Sequence, residues 1–166
     1  MCIRDRPTVE LVSPEDGNIT QNRMPTFNWN GEDDDGDELV YEFNLTEDLV
    51  SGGYFCSDRI NENDLVNSNF TPENDLKCFK DNGYQYIWKV RASDDEGVSW
   101  GDWSEEFVLN LTANVSLYLD VRDIEFGNLN FFGGVNDTTD DNPNPLELRN
   151  LGNALVNVTV NSTSLW

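Results

Sequence analysis

Tyr86, Trp88, Val90 and Ala92 alternate with Ile87, Lys89 and Arg91, large apolar groups on one parity and a smaller or charged set on the other. A period of two puts each set on its own face of an extended chain and does not fit the 3.6 period of an amphipathic helix. The same alternation recurs at Val9 and Leu11, at Phe27 and Trp29, at Tyr41, Phe43 and Leu45, and at Phe107, Leu109 and Leu111. Ser13-Pro14-Glu15-Asp16-Gly17 closes the first of these runs as a turn. No comparable helical stretch occurs, so the spacing predicts an all-β protein built as a β-sandwich.

The alternation also suggests two domains. From Phe107 to Val121 the odd positions stay apolar, only Ala113 being small, with no Gly or Pro to break the phase. We expect a boundary near 112–114, with the last strand of one sandwich running almost directly into the first of the next, and therefore domains at 7–112 and 113–166. The second continues through Ile124, Phe126, a Phe131-Phe132-Gly133-Gly134 turn, a loop from Asp137 to Pro145, and strands at Leu146–Leu148 and Leu155–Val160. That is about half of a usual sandwich, so the second module is expected to be truncated. Residues 46–83, rich in Asn, Asp and Ser, read as irregular. Met1-Cys2-Ile3-Arg4-Asp5-Arg6 matches the forward translation of a transposase adapter used in sequencing libraries, so residues 1–6 are expected to be an artefact and the chain a fragment of a longer protein.

Composition narrows the function classes. The 166 residues carry 32 Asp and Glu against 10 Lys and Arg, a formal charge of −22. Such a surface repels phosphate backbones and anionic lipid, so neither nucleic acid nor a membrane surface is an expected partner. With no His and only 3 Cys, nucleophile triads and ordinary zinc sets cannot be assembled. The chain is still 37% hydrophobic and 11% aromatic, enough apolar surface to fold. No run is long enough to span a bilayer as a helix, and the start lacks the pattern of a signal peptide.

Trp29, Tyr41 and the Tyr86-x-Trp88-x-Val90-Arg91-Ala92 run together resemble a fibronectin type III domain over residues 7–112, with Tyr86 at the place of the family's tyrosine corner. Ser99-Trp100-Gly101-Asp102-Trp103-Ser104 is similar to the doubled Trp-Ser element of cytokine-receptor members. The resemblance implies that Trp100 and Trp103 stack with arginine, for which Arg91 and Arg59 are the candidates. The 46–83 insertion departs from the family pattern. The Ser13-Pro14 turn and the Asp-rich loop resemble the modules of microbial, archaeal-type cell-surface proteins, where such a unit is a spacer or adhesive element. Residues 115–166, with turns at Phe126-Gly127 and Asn150-Leu151-Gly152-Asn153, also look like a surface-protein sandwich of no named family, and the expected fold is tandem sandwich modules of the fibronectin type III or immunoglobulin-like class.

Eight Asn-x-Ser/Thr sequons occur, at Asn18, Asn44, Asn69, Asn110, Asn114, Asn136, Asn157 and Asn161. With 22 Asn and 20 Ser plus Thr in 166 residues, random order would give fewer than three. The excess points to an exported glycoprotein at the cell surface or outside it, and alternation places Asn44, Asn110, Asn157 and Asn161 opposite the apolar face, on solvent. Asn and Thr also suit turns and exposed strands, which is the plainer explanation. Cys56 and Cys78 bracket a polar segment with little core of its own. A disulfide between them fits an exported chain; two free buried thiols are the alternative.

Asp33, Asp35 and Asp37 place carboxylates two apart around Gly36, chemistry that suits calcium. The order departs from an EF-hand loop, which favours a solvated turn. Asp94, Asp95 and Glu96 follow the Tyr86 strand, and in a sandwich their loop lies at the same end as the Asp33 loop, so the two clusters could meet. Asp137, Asp140 and Asp141 form a third acidic loop. A glycosidase pair needs two facing carboxyls of different acidity, and acidic runs in exposed loops do not provide it; no enzymatic activity is expected. Trp100 and Trp103 could stack on a sugar ring or cover the edge of the core. The sequence therefore predicts a non-catalytic spacer or adhesion module of an exported, glycosylated surface protein, whose partners are neighbouring domains and possible glycans or surface proteins, with calcium the one cofactor open to it. The rival is a carbohydrate-binding or calcium-dependent adhesion module attached to an extracellular enzyme.

Overall fold

The computed structural model describes residues 6–52, 55–120 and 147–159. The chain divides into two compact units, Met1–Ala113 and Asn114–Trp166. The strands, in chain order, are β1 (Thr8–Ser13), β2 (Asn18–Thr20), β3 (Phe27–Glu32), β4 (Val40–Leu49), β5 (Ile60–Leu65), β6 (Asn69–Phe70), β7 (Tyr84–Ser93), β8 (Phe107–Leu111), β9 (Leu117–Leu119) and β10 (Leu148–Asn150). A single 3₁₀ turn, Lys80–Asn82, precedes β7, and no α-helix occurs among the described residues. The described residues are all-β, as the alternation predicts.

In the first unit a three-stranded sheet of order β1-β3-β6 and a five-stranded sheet of order β2-β8-β7-β4-β5 share one core. All neighbours are antiparallel except β2, which runs parallel to β8 with Ile19 opposite Asn110. The chain therefore changes sheets between β1 and β2, through the Ser13–Gly17 turn. The longest ladder joins β4 to β7 without a break, from Val40 opposite Ser93 to Leu49 opposite Tyr84.

The parity seen in the sequence decides what is buried. Phe43, Leu45, Tyr86, Trp88, Val90, Ala92, Leu109 and Leu111 from the larger sheet are 0% exposed, as is Phe27 from the smaller one. Rings interlock across the gap: Phe27 lies 5.0 Å from both Phe43 and Trp88, and Trp29 lies 5.6 Å from Tyr41, centroid to centroid. Contacts of this kind add about 0.5–1.5 kcal/mol each to the burial of the rings themselves.

Four expectations need correction. Segment 46–83 is not irregular throughout: β4 extends to Leu49, and β5 and β6 follow. These strands escape a reading by parity because they lie at sheet edges, where Asn61, Glu62, Asn63 and Asp64 all face solvent. The last strand of the first unit does not run into the next: residues 112–116 belong to no strand. Their backbone bonds go elsewhere, from the Thr112 N–H to the Thr20 carbonyl at 2.8 Å and from the Ala113 N–H to the Asp81 carboxylate at 2.8 Å. In the second unit Leu117 and Leu119, expected on a buried face, are exposed, because β9 pairs only with β10 and no second layer covers them among the described residues. No strand forms over residues 155–159. The elements expected between Ile124 and Pro145, the third acidic loop, and the sequons at Asn136 and Asn161 lie outside the described residues.

Candidate functional site

Two places in the first unit gather the side chains that the sequence singles out. The first lies on the outer face of the five-stranded sheet. The ladder between β7 and β8 ends at Trp88 opposite Phe107. Beyond it, segment 100–104 takes over the β7 backbone: the Gly101 N–H donates to the Ala92 carbonyl at 2.8 Å, the Ser104 N–H to the Val90 carbonyl at 2.8 Å, and the Val90 N–H to Ser104 Oγ at 3.1 Å. Glycine is needed in that segment, since a Cβ at position 101 would fall 2.7 Å from the Pro7 carbonyl oxygen.

This path lays both indoles over the outward residues of β7. The Arg91 guanidinium carbon lies 4.5 Å from the Trp103 ring centroid and 5.2 Å from that of Trp100, and Lys89 Nζ lies 5.4 Å from Trp103. Both cations have carboxylate partners. Arg91 bonds Glu42, its neighbour across the β4–β7 ladder, at 2.5 Å, and Lys89 bonds Glu106 at 2.6 Å. Glu42 is 8% exposed, and Arg91 is the cation that pairs with it. Of the two arginines considered, Arg91 is the one over the tryptophans. Arg59 instead places its Nε 3.2 and 3.3 Å from the two Glu47 carboxylate oxygens, because β5 sets it beside β4. The indoles lie on the outside of the sheet and not at the edge of the core.

The second place is the end of the unit where the loop after β3 meets the loop after β7. A depression of about 1050 Å³ is lined by Asp33, Asp34, Asp37 and Glu38 from the first loop and by Asp94 and Glu96 from the second. The expected meeting of the acidic clusters occurs, but their geometry is that of turns. Asp33 Oδ1 accepts the Asp35 and Asp37 N–H groups at 3.0 and 3.1 Å, a local Asx arrangement. Asp95 turns into its own loop, accepting from Ser93 Oγ at 2.6 Å and from the Ser99 N–H at 2.8 Å. Among the described residues no three Asp, Glu or Cys side chains stand together as metal ligands.

The cysteines form a disulfide, Cys56–Cys78, with Cα atoms 5.7 Å apart. Two successive inward tyrosines of β7 hold its ends: Tyr84 Oη accepts the Cys56 N–H at 3.0 Å, and Tyr86 Oη accepts the Cys78 N–H at 2.8 Å. Tyr86 Oη also accepts the Lys77 N–H at 3.1 Å and donates to Asp58 at 2.7 Å. Sequence reasoning marked Tyr86 as a corner; Tyr84 and Asp58 carried no signal of their own. No protein-family model matches this chain, and no curated protein does.

Burial pushes the Tyr86 phenol far above its ordinary value of 10.0, and the hydrogen bond to Asp58 adds to this. The folded state therefore holds this proton more tightly than the unfolded chain does. Its contribution is complete below pH 10 and is lost as pH rises above that value. Tyr86→Phe should cost about 1–3 kcal/mol at neutral pH, since two N–H groups and Asp58 lose a partner. Denaturant titrations across alkaline pH should show a shallower fall in the variant than in the parent; equal slopes would remove Tyr86 as the titrating group.

The sequons differ in setting. Asn18, Asn69 and Asn157 are exposed; Asn44 and Asn114 are half-buried, Asn44 donating to Asn61 Oδ1 at 3.2 Å. Asn110, expected on solvent, is 8% exposed. Its amide is held by the Gly17 carbonyl, just before β2, at 3.4 Å, and the side chain lines a depression with Val50, Gly83 and Gln85. No helix among the described residues is long and apolar enough to cross a membrane.

Proposed function

We propose that this chain is part of an exported, glycosylated surface protein built from tandem β-sandwich modules, in which the first unit is a fibronectin type III-like spacer or adhesion element without catalysis. The observation that carries the reading is how the unit uses its chemically capable side chains on one another. Cys56 and Cys78, Tyr84 and Tyr86, and Arg91 with its two tryptophans and Glu42 are all engaged within the chain. Such internal pairing stiffens a module and leaves its surface to hydration, glycans and neighbouring modules. The strand order supports the family resemblance: a sheet of three and a larger sheet share a core, with the first strand divided between them. The dispersed negative charge suits a surface kept hydrated in salty surroundings, where ions screen its self-repulsion.

A polysaccharide-binding screen tests this, run with calcium and with chelator. The spacer reading expects no binding under either condition. Binding that is lost in Trp100→Ala and Trp103→Ala would replace it with the carbohydrate-binding module. Binding that requires calcium would replace it with a calcium-dependent adhesin, using the acidic depression that Asp33 and Asp37, though not Asp35, line.

A further inference from the structure

We propose that the folded first unit carries N-linked sugar at Asn18 and Asn69, and that docking of β2 keeps the Asn110 sequon unmodified. The inference rests on the glycoprotein reading and selects among its sites.

N-glycosylation needs the Asn amide and the hydroxyl two residues on to be reached together. The Asn Nδ2 attacks the anomeric carbon of a saccharide activated on a lipid phosphate. The N–C bond forms as the C–O bond to phosphate breaks, the phosphate leaves with the electron pair, and one Nδ2 proton passes to solvent. A buried amide cannot make that approach.

At Asn110 both halves of the sequon are tied to the β2 segment. Nδ2 donates to the Gly17 carbonyl at 3.4 Å, and Thr112 Oγ1 donates to the Thr20 carbonyl at 3.3 Å, one at each end of the short strand. The backbone adds to the clamp: the Gly17 N–H donates to the Val108 carbonyl at 2.8 Å and the Val108 N–H to Asp16 Oδ1 at 2.8 Å. A saccharide on Nδ2 would have to displace the Gly17 carbonyl, which β2 pairing holds in place, from the amide of a residue that is 8% exposed. Asn18 and Asn69 are exposed, Asn18 on β2 itself and Asn69 on the two-residue β6 at the edge of the other sheet. Their hydroxyl partners are also engaged, Thr20 Oγ1 accepting the Asn22 N–H at 3.0 Å and Thr71 Oγ1 lying 2.8 Å from Thr26 Oγ1, so the exposed amides of Asn18 and Asn69 make the difference from Asn110.

The test is site occupancy by mass spectrometry, after export from a host with N-glycosylation machinery. Asn18 and Asn69 should be occupied, and Asn110 at least about five-fold less. Gly17→Pro removes the N–H bonded to Val108 and cannot adopt the φ of +76° found at Gly17, so it should undock β2 while leaving the Asn18 sequon intact. Occupancy at Asn110 should then rise to about that at Asn69, with faster hydrogen exchange at the Thr112 amide reporting the undocking. Asn110 occupied as fully as Asn18 in the parent would overturn the proposal, as would an undocked variant in which Asn110 stays bare. Should the variant fail to fold, the parent ratio alone decides. Sugar at no sequon would overturn the glycoprotein reading itself.

Discussion

Arg91→Ala should lower the free energy of unfolding by about 3 kcal/mol, the cost of stranding a mostly buried carboxylate together with the loss of two cation–π contacts. Glu42 is the carboxylate at stake: its side chain is 11% exposed, and Arg91 is the residue opposite it in the ladder. Glu42→Gln introduced into the Arg91→Ala background should recover part of the loss, because the stranded group is then neutral. Arg91→Lys should fall between parent and alanine, since an ammonium keeps the charge but cannot lie flat on two indoles while bonding Glu42. Urea midpoints at constant slope measure all three. A loss under about 1 kcal/mol that Glu42→Gln leaves unchanged would mean that water screens the pair as it does at an open surface.

The second large effect is expected at the disulfide. Replacing Cys56 and Cys78 together by Ala, or reducing the parent, should cost about 3 kcal/mol for a loop of this length. The two cysteines are 22 positions apart and enclose β5 and β6. That stretch has little core of its own: Leu65 and Phe70 are half-buried, and Pro72 and Leu76 are its buried members. An unclosed loop therefore gains much freedom in the unfolded state and loses few contacts in leaving the native one. Calorimetry with and without reductant should show a lowered melting temperature for the parent and none for the double variant. An equal shift in both would locate the effect elsewhere.

How far the sequence could be read follows from where one face is buried and the other is not. The strands at Phe27, Tyr41, Tyr86 and Phe107 each place large side chains at alternate positions because two sheets close over them, and their parity is visible in the chain. Strands β2, β5 and β6 have no such contrast. Their residues, such as Asn18-Ile19-Thr20, lie at sheet edges where no side chain is fully buried, and pairing there is decided by what the neighbouring strand offers. Register is invisible for the same reason: nothing local to Glu42 indicates that Arg91 is opposite, or that Arg59 is drawn to Glu47. Asn110 shows the limit most clearly. Alternation correctly points it away from the core, yet the Gly17 carbonyl takes its amide and the side chain lines a depression with Val50, Gly83 and Gln85. The acidic loops were legible as loops at one end, while the Asx hydrogen bonds that make Asp33 a turn residue depend on backbone angles that composition does not specify.

The small strand β2 also bears on how such a protein avoids its own kind. A sheet ending in a long, bare strand presents a row of unpaired backbone groups that can template a strand from another molecule. Here the five-stranded sheet finishes on one side in the three residues of β2, and on the other in β5, where Glu62 and Asp64 place negative charge along the margin and Asp64 has a φ of 59°. One border is too short to recruit a partner, and the other is charged and bent out of line. Copies crowded side by side would therefore not meet by extending this five-stranded sheet into fibres.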